Sequence, residues 1–429
     1  MDTGESPDRI SRVGAELRVS IIGAGNTGLA LAVHLLSSGH EPLVYTRSEE
    51  KARRLSGDHG SSPRNTLTQH SQTQHSQTQN GLTVTGRYAG TYAIPATTDL
   101  SAVARHGEVI VVCTWANAHR EVFDRLYAAA DGHPLRVLVF NGNWGAIEAF
   151  SALQTIGGTL KPTDTDQPAD TDQPADTDQP ADTAQPLNAA QPSADTAQPL
   201  NAAQPSADIA ESTGMPYVAQ LDPDRMTLHI EAVKTTITVA SVLPEVSIPI
   251  RQMLGDLYEH VEYAQSVFET SLSAPNPIIH APMCLLNMTK IEQNRPFHML
   301  TDGFSERAEQ LIAHIDQERH ALADALDVPY LPIVQQLNGF WGSDYPTLTE
   351  LFRSNPVYHD VPGPDSVTHR FIQEDIPYGI APLVSLGRLL DVPTPTCEAL
   401  LTIYSDYFGR TFAGPDFNRE LIRTVAKAE

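Results

Sequence analysis

The sequence predicts an α/β protein, with a doubly wound parallel sheet in its N-terminal part and a mainly α-helical C-terminal domain. In the first part of the chain, short apolar runs alternate with helical segments. Two low-complexity segments interrupt this alternation, and amphipathic helical periodicity dominates after about residue 260. We therefore expect a sheet domain over residues 1–245 and a helical domain over residues 246–429.

The strands of the predicted sheet are short, and several are apolar throughout. The runs at 109–113 and 137–140 are typical of parallel strands that are buried on both faces. The predicted strands are 17–22, 42–45, 82–84, 92–94, 109–113 and 137–140. The segments 215–220 and 227–240 are β-rich, and the second is expected to extend or finish the sheet. The predicted helices are 27–38, 48–55, 304–326, 378–390 and 397–408. Strands separated by helices indicate the doubly wound arrangement.

Residues 58–80 and 161–208 are predicted to be insertions that loop outward and are disordered. The second contains TDQPAD three times and TAQPLNAAQPSAD twice. Such short, polar, Pro-rich repeats cannot bury a core. His70 and His75 in the first insertion are expected to be solvated rather than bound to a metal.

Charge and composition exclude several classes of protein. The net charge of −24 argues against a nucleic-acid partner, although the second insertion supplies −8 of it. No apolar run is long enough for a transmembrane helix, and the N-terminus has no apolar signal segment. The three cysteines form no disulfide or metal pattern. We expect a cytoplasmic protein without a metal or a membrane partner, with a homodimer as one candidate assembly.

A glycine motif follows the first strand and opens the first helix. It comprises Gly23, Ala24, Gly25, Asn26, Thr27 and Gly28. The first glycine permits the tight turn, the second lets the backbone approach a pyrophosphate, and the third lets helix and strand pack closely. The N–H groups at the start of the helix would then face the phosphates. In this strand–turn–helix context, the motif predicts a Rossmann dinucleotide-binding site.

The end of the second strand distinguishes between the two nicotinamide cofactors. An NAD(H) site usually carries Asp or Glu there, whereas this chain has Thr46, Arg47 and Ser48. Arg47 can pair with a 2′-phosphate, and the two hydroxyls can donate hydrogen bonds to it. NADP(H) is therefore favoured over NAD(H), the alternative being that Arg47 is only a surface residue. Thr114, which follows the strand at 109–113, is expected to line the same cleft.

Two segments of the helical half contain candidate catalytic residues. Prolines bracket His280, and Pro282 is expected at an early helix position, which would hold His280 at the mouth of a helix. Pro377 suits the first position of another helix, so Asp375 would stay ionised at that helix start and could orient His280. Arg370 could clamp a substrate carboxylate. Taken alone, a single histidine is more often structural, and Asp375 and Arg370 are also compatible with a helix cap and a surface ion pair.

The chain resembles the opine dehydrogenase family, which includes octopine, nopaline and tauropine dehydrogenases. The resemblance rests on the glycine motif and on the segments 211–217 (ESTGMPY), 276–280 (NPIIH) and 370–379 (RFIQEDIPYG). It implies a Rossmann domain joined to a helical domain, with the active site in the cleft between them. It also implies roles for individual residues: His280 as acid–base residue, Asp375 as its partner, Arg370 as ligand of a 2-oxo acid carboxylate and Asn276 as a further substrate contact.

The reaction that the resemblance implies is a reductive condensation. An amino acid amine attacks a 2-oxo acid, water leaves, and NAD(P)H delivers a hydride to the imine, so the expected partners are these two small molecules. Two other interpretations stay open. One is another NADP-dependent 2-oxo acid or alcohol dehydrogenase, of the ketopantoate or glycerol-3-phosphate type. The other is a non-catalytic NADP(H)-binding sensor.

Overall fold

The computed structural model describes residues 15–57, 81–161 and 205–426. Most of both predicted insertions lies outside these residues. The strands are β1 Arg18–Ile22, β2 Glu41–Tyr45, β3 Leu82–Gly86, β4 Gly90–Tyr92, β5 Ala96–Thr97, β6 Val109–Val112, β7 Leu135–Val139, β8 Thr159–Leu160, β9 Ser206–Ser212, β10 Tyr217–Asp222, β11 Thr227–Val233, β12 Thr236–Ser241 and β13 His260–Tyr263.

The helices are α1 Asn26–Ser37, α2 Glu49–Ser56, α3 Leu100–His106, α4 His119–Ala129, α5 Gly145–Thr155, α6 Ile248–Leu257, α7 Val267–Leu272, α8 Pro275–Leu286, α9 Met288–Glu292, α10 Glu306–Ala325, α11 Ile333–Trp341, α12 Leu348–Ser354, α13 Arg370–Gln373, α14 Ala381–Leu390, α15 Pro395–Phe408 and α16 Arg419–Ala426. Short 3₁₀ turns lie at Ala116–Ala118 and Pro356–Tyr358, and a π-helical turn spans Ile376–Ile380. No helix in these ranges is long and apolar enough to cross a membrane.

The larger sheet has the strand order β13-β12-β9-β7-β6-β1-β2-β5, with β8 paired to β9 outside this path. Its strands pair in parallel except for β12 with β9. A smaller sheet has the order β10-β11-β3-β4. The prediction of a doubly wound sheet followed by a helical domain is confirmed.

The position of the nucleotide cleft follows from the strand order. The chain builds β2 on one side of β1 and later places β6 on the other side. Connections therefore leave in opposite directions between β1 and β6, which opens a crevice at the carboxyl ends of these strands. All four side chains of β6 are buried, because helices cover both faces of the sheet.

The end of the second insertion differs from its prediction. Ser206, Ala207 and Asp208 were expected to loop outward, but they are buried and begin strand β9 in the middle of the sheet. Ala207 pairs with Leu135 of β7, and the strand continues into the apolar Ile209. The prediction was wrong for these three residues because strand pairing, which composition does not reveal, determines their backbone.

The sheet also extends further along the chain than expected. Strand β13 pairs with β12 in the larger sheet, so the sheet reaches Tyr263, beyond the predicted limit at residue 245. The β-rich segment at 227–240, expected to extend or finish the sheet, contains two strands, β11 and β12, of which only β12 belongs to the larger sheet. The division of the chain into two domains at 245 stays a prediction.

The helical domain packs directly on the sheet domain. Helix α8 contacts α10, α13 and the π-helical turn. One apolar core contains buried residues of both domains, from Val112 and Phe150 on the sheet side to Ile278, Ile315 and Leu386 on the helical side. This shared core fixes α8 and the π-helical turn relative to the strand ends.

Candidate active site between the nucleotide cleft and the helical domain

A cleft of about 560 Å³ opens at the carboxyl ends of β1, β2 and β6. Seven of the ten residues predicted to bind the cofactor line it: Gly23, Ala24, Gly25, Thr46, Arg47, Ser48 and Thr114. The other three, Asn26, Thr27 and Gly28, are not among the residues that line the cleft and lie in the first turn of α1. Asn26 accepts a hydrogen bond from the Leu221 N–H at 3.2 Å, and the Thr27 hydroxyl lies 3.7 Å from the sulfur of Met215.

The glycine turn meets the steric requirements that its sequence predicts. Gly23 has φ of +120°, in the region that favours glycine. A Cβ on Gly28 would lie 1.8 Å from the Gly23 carbonyl oxygen, whereas a Cβ on Gly25 would meet nothing within 4 Å. Helix and strand therefore touch at Gly28, and the backbone at Gly25 is open to a ligand. Among the described residues, no side chain caps the start of α1, so its N–H groups can receive a phosphate.

The end of β2 forms the expected polar edge of the cleft. Arg47 is exposed there, and Ser48 caps α2 by accepting a hydrogen bond from the Lys51 N–H at 3.2 Å. Lys51 and Arg125 also line the cleft, and sequence reasoning missed both. Burial, followed by the nearby Arg54, lowers the pKa of Lys51. Its position four residues after Arg47, on the first turn of a helix, was a signal that could have identified it.

Arg125 gave no such signal, because it comes from α4, far along the chain. Its guanidinium donates to the Tyr45 hydroxyl at 3.2 Å, which brings it to the end of β2. The cleft also holds a buried hydroxyl that lacks a protein partner within the described residues, that of Thr114. The cleft therefore fits a phosphorylated dinucleotide. It offers open backbone at Gly25, the buried Thr114 hydroxyl and, at one end, the cations Arg47, Lys51 and Arg125.

The helical domain contributes a buried histidine–aspartate pair. His280 Nδ1 lies 2.7 Å from Asp375 Oδ2, and their side chains are 13% and 0% exposed. The other Asp375 oxygen has no hydrogen-bond partner among the described residues. The Phe371 ring stacks on the imidazole with a centroid distance of 3.6 Å, which fixes the plane of the ring. The two segments singled out in the sequence therefore meet in space.

The local structure around this pair matches the prediction on one side only. Asp375 directly precedes the π-helical turn, as expected, although Pro377 is the second residue of that turn and not the first. Pro282, however, does not occupy an early helix position. Helix α8 starts at Pro275, and Pro282 lies inside it, so His280 projects from the second turn of the helix rather than from its mouth. Asn276 lies one turn earlier on α8 and is half-buried.

Arg370 is connected to the nucleotide cleft through Glu374. Its Nε lies 3.1 Å from Glu374 Oε2, and Glu374 Oε1 accepts a hydrogen bond from the Ala116 N–H at 2.9 Å. Ala116 follows Trp115, which lines the cleft. Burial raises the pKa of Glu374, while the Arg370 charge and the Ala116 N–H act in the opposite direction. The sequence analysis did not single out Glu374, because its partner Ala116 is 258 residues away.

Another buried carboxyl group, that of Glu211, connects a strand with two helices. Glu211 at the end of β9 is fully buried, and burial raises its pKa. It accepts hydrogen bonds from the Thr270 hydroxyl at 2.7 Å and the Ala146 N–H at 3.0 Å, and also from the Ser271 hydroxyl. These contacts tie β9 to α5 and α7. The segment that begins with Glu211 thus has a structural anchor and reaches the glycine turn through Met215.

Comparison with known proteins gives independent matches for the two halves. Residues 263–408 match the family described as "NAD/NADP octopine/nopaline dehydrogenase, alpha-helical domain". Residues 18–139 match the family described as "NADP oxidoreductase coenzyme F420-dependent". The second match agrees with the nicotinamide cofactor predicted from the glycine turn and the end of β2.

An opine dehydrogenase of Arthrobacter sp. (strain 1C) is 29% identical over 161 residues, which cover 38% of this chain and 45% of that protein. The chain spans about half the length of the curated relatives it matches. Two solved structures share the fold over 96% of this chain at 13% identity. One is an octopine dehydrogenase with NADH and agmatine, with a TM-score of 0.60 and 94% of that chain covered. The other is a yersinopine dehydrogenase with NADP⁺, with a TM-score of 0.62 and 98% covered.

The two family matches contain three of the four segments on which the resemblance was based, all but the segment 211–217. The helical-domain match contains both His280 and Asp375, and the solved structures share the fold. Residues 263–408 therefore form an α-helical domain of the octopine/nopaline dehydrogenase type, and the resemblance of this chain to the opine dehydrogenase family is confirmed.

Proposed function

We propose that this chain is an NADPH-dependent opine dehydrogenase, an oxidoreductase acting on CH–NH groups. It condenses the amine of an amino acid with a 2-oxo acid and reduces the resulting imine. The observation that carries the proposal is the buried His280–Asp375 pair at 2.7 Å. The same short segment holds Arg370, which is linked to the nucleotide cleft through Glu374. The family match over residues 263–408 supports the same activity.

In the proposed reaction, His280 moves protons between nitrogen and oxygen. The amino acid ammonium gives up two protons to the carbonyl oxygen, which leaves as water, and a protonated imine remains. Asp375 accepts a hydrogen bond from the Nδ1–H of His280, so Nε2 keeps the lone pair that takes and returns a proton. The bound cofactor supplies the hydride that reduces the imine carbon.

Arg370 is proposed to hold the 2-oxo acid carboxylate. Glu374 occupies only its Nε edge, so the two Nη groups can donate parallel hydrogen bonds to a substrate carboxylate. Asn276, one turn before His280 on α8, is proposed as a second substrate contact. Arg47 is proposed to pair with the 2′-phosphate of NADP(H), with NAD(H) as the weaker cofactor.

The test is NADPH oxidation measured with a panel of 2-oxo acids, each with and without a panel of amino acids. We expect oxidation that requires both substrates, and a secondary amine that retains ¹⁵N from a labelled amino acid. Oxidation with an oxo acid alone would instead identify a ketone reductase of the ketopantoate type. If the protein binds NADPH but oxidises it with no combination of oxo acid and amino acid, the remaining interpretation is a non-catalytic NADP(H)-binding sensor.

A further inference from the structure

Glu374 is a single carboxylate that joins the two halves of the site. Glu374 is 2% exposed. One of its oxygens accepts a hydrogen bond from the Ala116 N–H of the sheet domain, and the other pairs with the Arg370 guanidinium of the helical domain. Ala116 begins the 3₁₀ turn directly after Trp115, on the wall of the nucleotide cleft. The wall of the cofactor cleft and the cation proposed to bind the oxo acid are therefore two hydrogen bonds apart.

We propose that Glu374 is a positioning residue, which sets the Arg370 guanidinium in register with the nucleotide cleft so that the oxo acid lies in line with the hydride donor. The inference rests on the proposed function. A guanidinium is planar, so a carboxylate fixed at its Nε edge fixes the direction of both Nη groups. The Ala116 N–H fixes that carboxylate relative to the cofactor. A shift of about 1 Å at this point would cost about 100-fold in rate.

A purely structural role explains the arrangement less well. Taking a carboxylate and a guanidinium out of water is costly, and apolar side chains of similar volume often stabilise a fold as well as a buried ion pair does. Glu374 lies next to Asp375, the proposed partner of His280, where a second buried negative charge is unfavourable. This carboxylate lies between Arg370, which is proposed to bind the substrate, and the wall of the nucleotide cleft. The geometry that it imposes explains why it is retained at this cost.

The central variant is Glu374→Gln. The amide keeps the volume and an oxygen for the Ala116 N–H, but it cannot form an ion pair with Arg370. We expect the KM for the oxo acid to rise about 10-fold to 100-fold, with the Kd for NADPH within about 2-fold of wild type. Glu398→Gln is the matched control, since Glu398 pairs with Arg388 at 3.3 Å on an exposed face. It should leave all these constants unchanged.

A double variant separates positioning from folding. In an Arg370→Gln background, Glu374→Gln should change the KM for the oxo acid by less than about 2-fold, because the residue acts through Arg370. Glu374→Asp, which keeps the charge, should recover part of the affinity. An unchanged KM in Glu374→Gln, or effects that multiply fully in the double variant, would overturn the proposal.

A measurement without turnover keeps this test distinct from that of the proposed function. Hydrogen exchange of the Ala116 amide should be faster in Glu374→Ala than in wild type, and close to wild type in Glu374→Gln. Unchanged exchange in Glu374→Ala would overturn the link between the halves even if the enzyme turns over as proposed. Conversely, a chain that oxidises no NADPH would refute the proposed function while this exchange still reports on the link.

Discussion

The two halves of the site use different kinds of chemical groups. The nucleotide cleft uses backbone groups and small residues from one continuous turn, followed by exposed cations at the end of β2. The acid–base half uses buried ionisable side chains, with His280 and Asp375 separated by 95 residues along the chain. Phosphate binding needs N–H groups, which nearly every residue has, whereas proton transfer needs particular side chains at hydrogen-bond distance. Substitutions should therefore affect the two halves in different ways.

The largest effect is expected at the acid–base residue. His280→Ala should lower kcat by up to about 10⁴-fold, because proton transfer to and from the reacting groups is lost. NADPH binding should stay within about 2-fold, since His280 lies outside the residues that line the nucleotide cleft. The measurements are steady-state kinetics and NADPH fluorescence titration. His314→Ala, at an exposed position on α10, is the control. Full activity in His280→Ala would refute the assignment.

Asp375→Asn should have a smaller effect on the same half. The amide can no longer stabilise a positively charged imidazole, and it can turn its NH₂ toward Nδ1, which disfavours the useful tautomer. We expect kcat to fall on the order of 10²-fold, with NADPH binding unchanged. Because Asp375 is fully buried, thermal unfolding must be compared as well. A kcat equal to wild type in a stable variant would show that His280 works without this partner.

The comparison also explains what the sequence could predict. The glycine turn and Arg47 after β2 are local, so residue type and spacing suffice for them, and helix α1 lies within one residue of its prediction at each end. The pairing of His280 with Asp375 came from the family resemblance, since no spacing rule connects residues 95 apart. Their roles stay predictions.

Long-range contacts account for what was missed. Arg125 reaches the cleft from α4 through Tyr45, and Glu374 meets the backbone of Ala116 across the domain boundary. Ser206–Asp208 look like the polar repeat that precedes them, yet pairing with β7 makes them a buried strand. In each case the residue type is ordinary, and the structure around it determines its role.

On the nucleotide side, Arg47→Ala should change the cofactor preference. Loss of a charge-assisted contact with a 2′-phosphate should raise the Kd for NADPH about 10-fold to 100-fold, while the Kd for NADH stays nearly constant. Binding titrations with both cofactors measure this difference. Arg53→Ala is the control, since Arg53 pairs with Glu50 on the exposed side of α2. Equal losses for the two cofactors would mean that Arg47 does not contact the 2′-phosphate.

A second buried histidine, His119, is expected to affect stability and not catalysis. His119, at the start of α4, is 1% exposed, and its Nε2 lies 3.3 Å from the Thr114 carbonyl oxygen. Unlike His280 it has no carboxylate partner in the described part of the chain, and its Nδ1 has no hydrogen-bond partner there. Burial lowers the pKa of His119 to about 4, although the hydrogen bond to Thr114 acts in the opposite direction. This histidine is therefore neutral in the folded protein near neutral pH.

The lowered pKa predicts a loss of stability in acid. Between about pH 6.5 and pH 4 the unfolded chain protonates His119 while the folded chain does not, so the free energy of unfolding falls as the pH falls, by about 3 kcal/mol between pH 8 and pH 4. His119→Gln removes this contribution, so urea unfolding should show a smaller loss of stability over that range by about the same amount. His133→Gln, at an exposed position, should match wild type. Equal pH dependence in wild type and His119→Gln would mean that the folded protein accepts a charge at this position, and the wall of the cleft beside Thr114 would then be more polar than its contacts indicate.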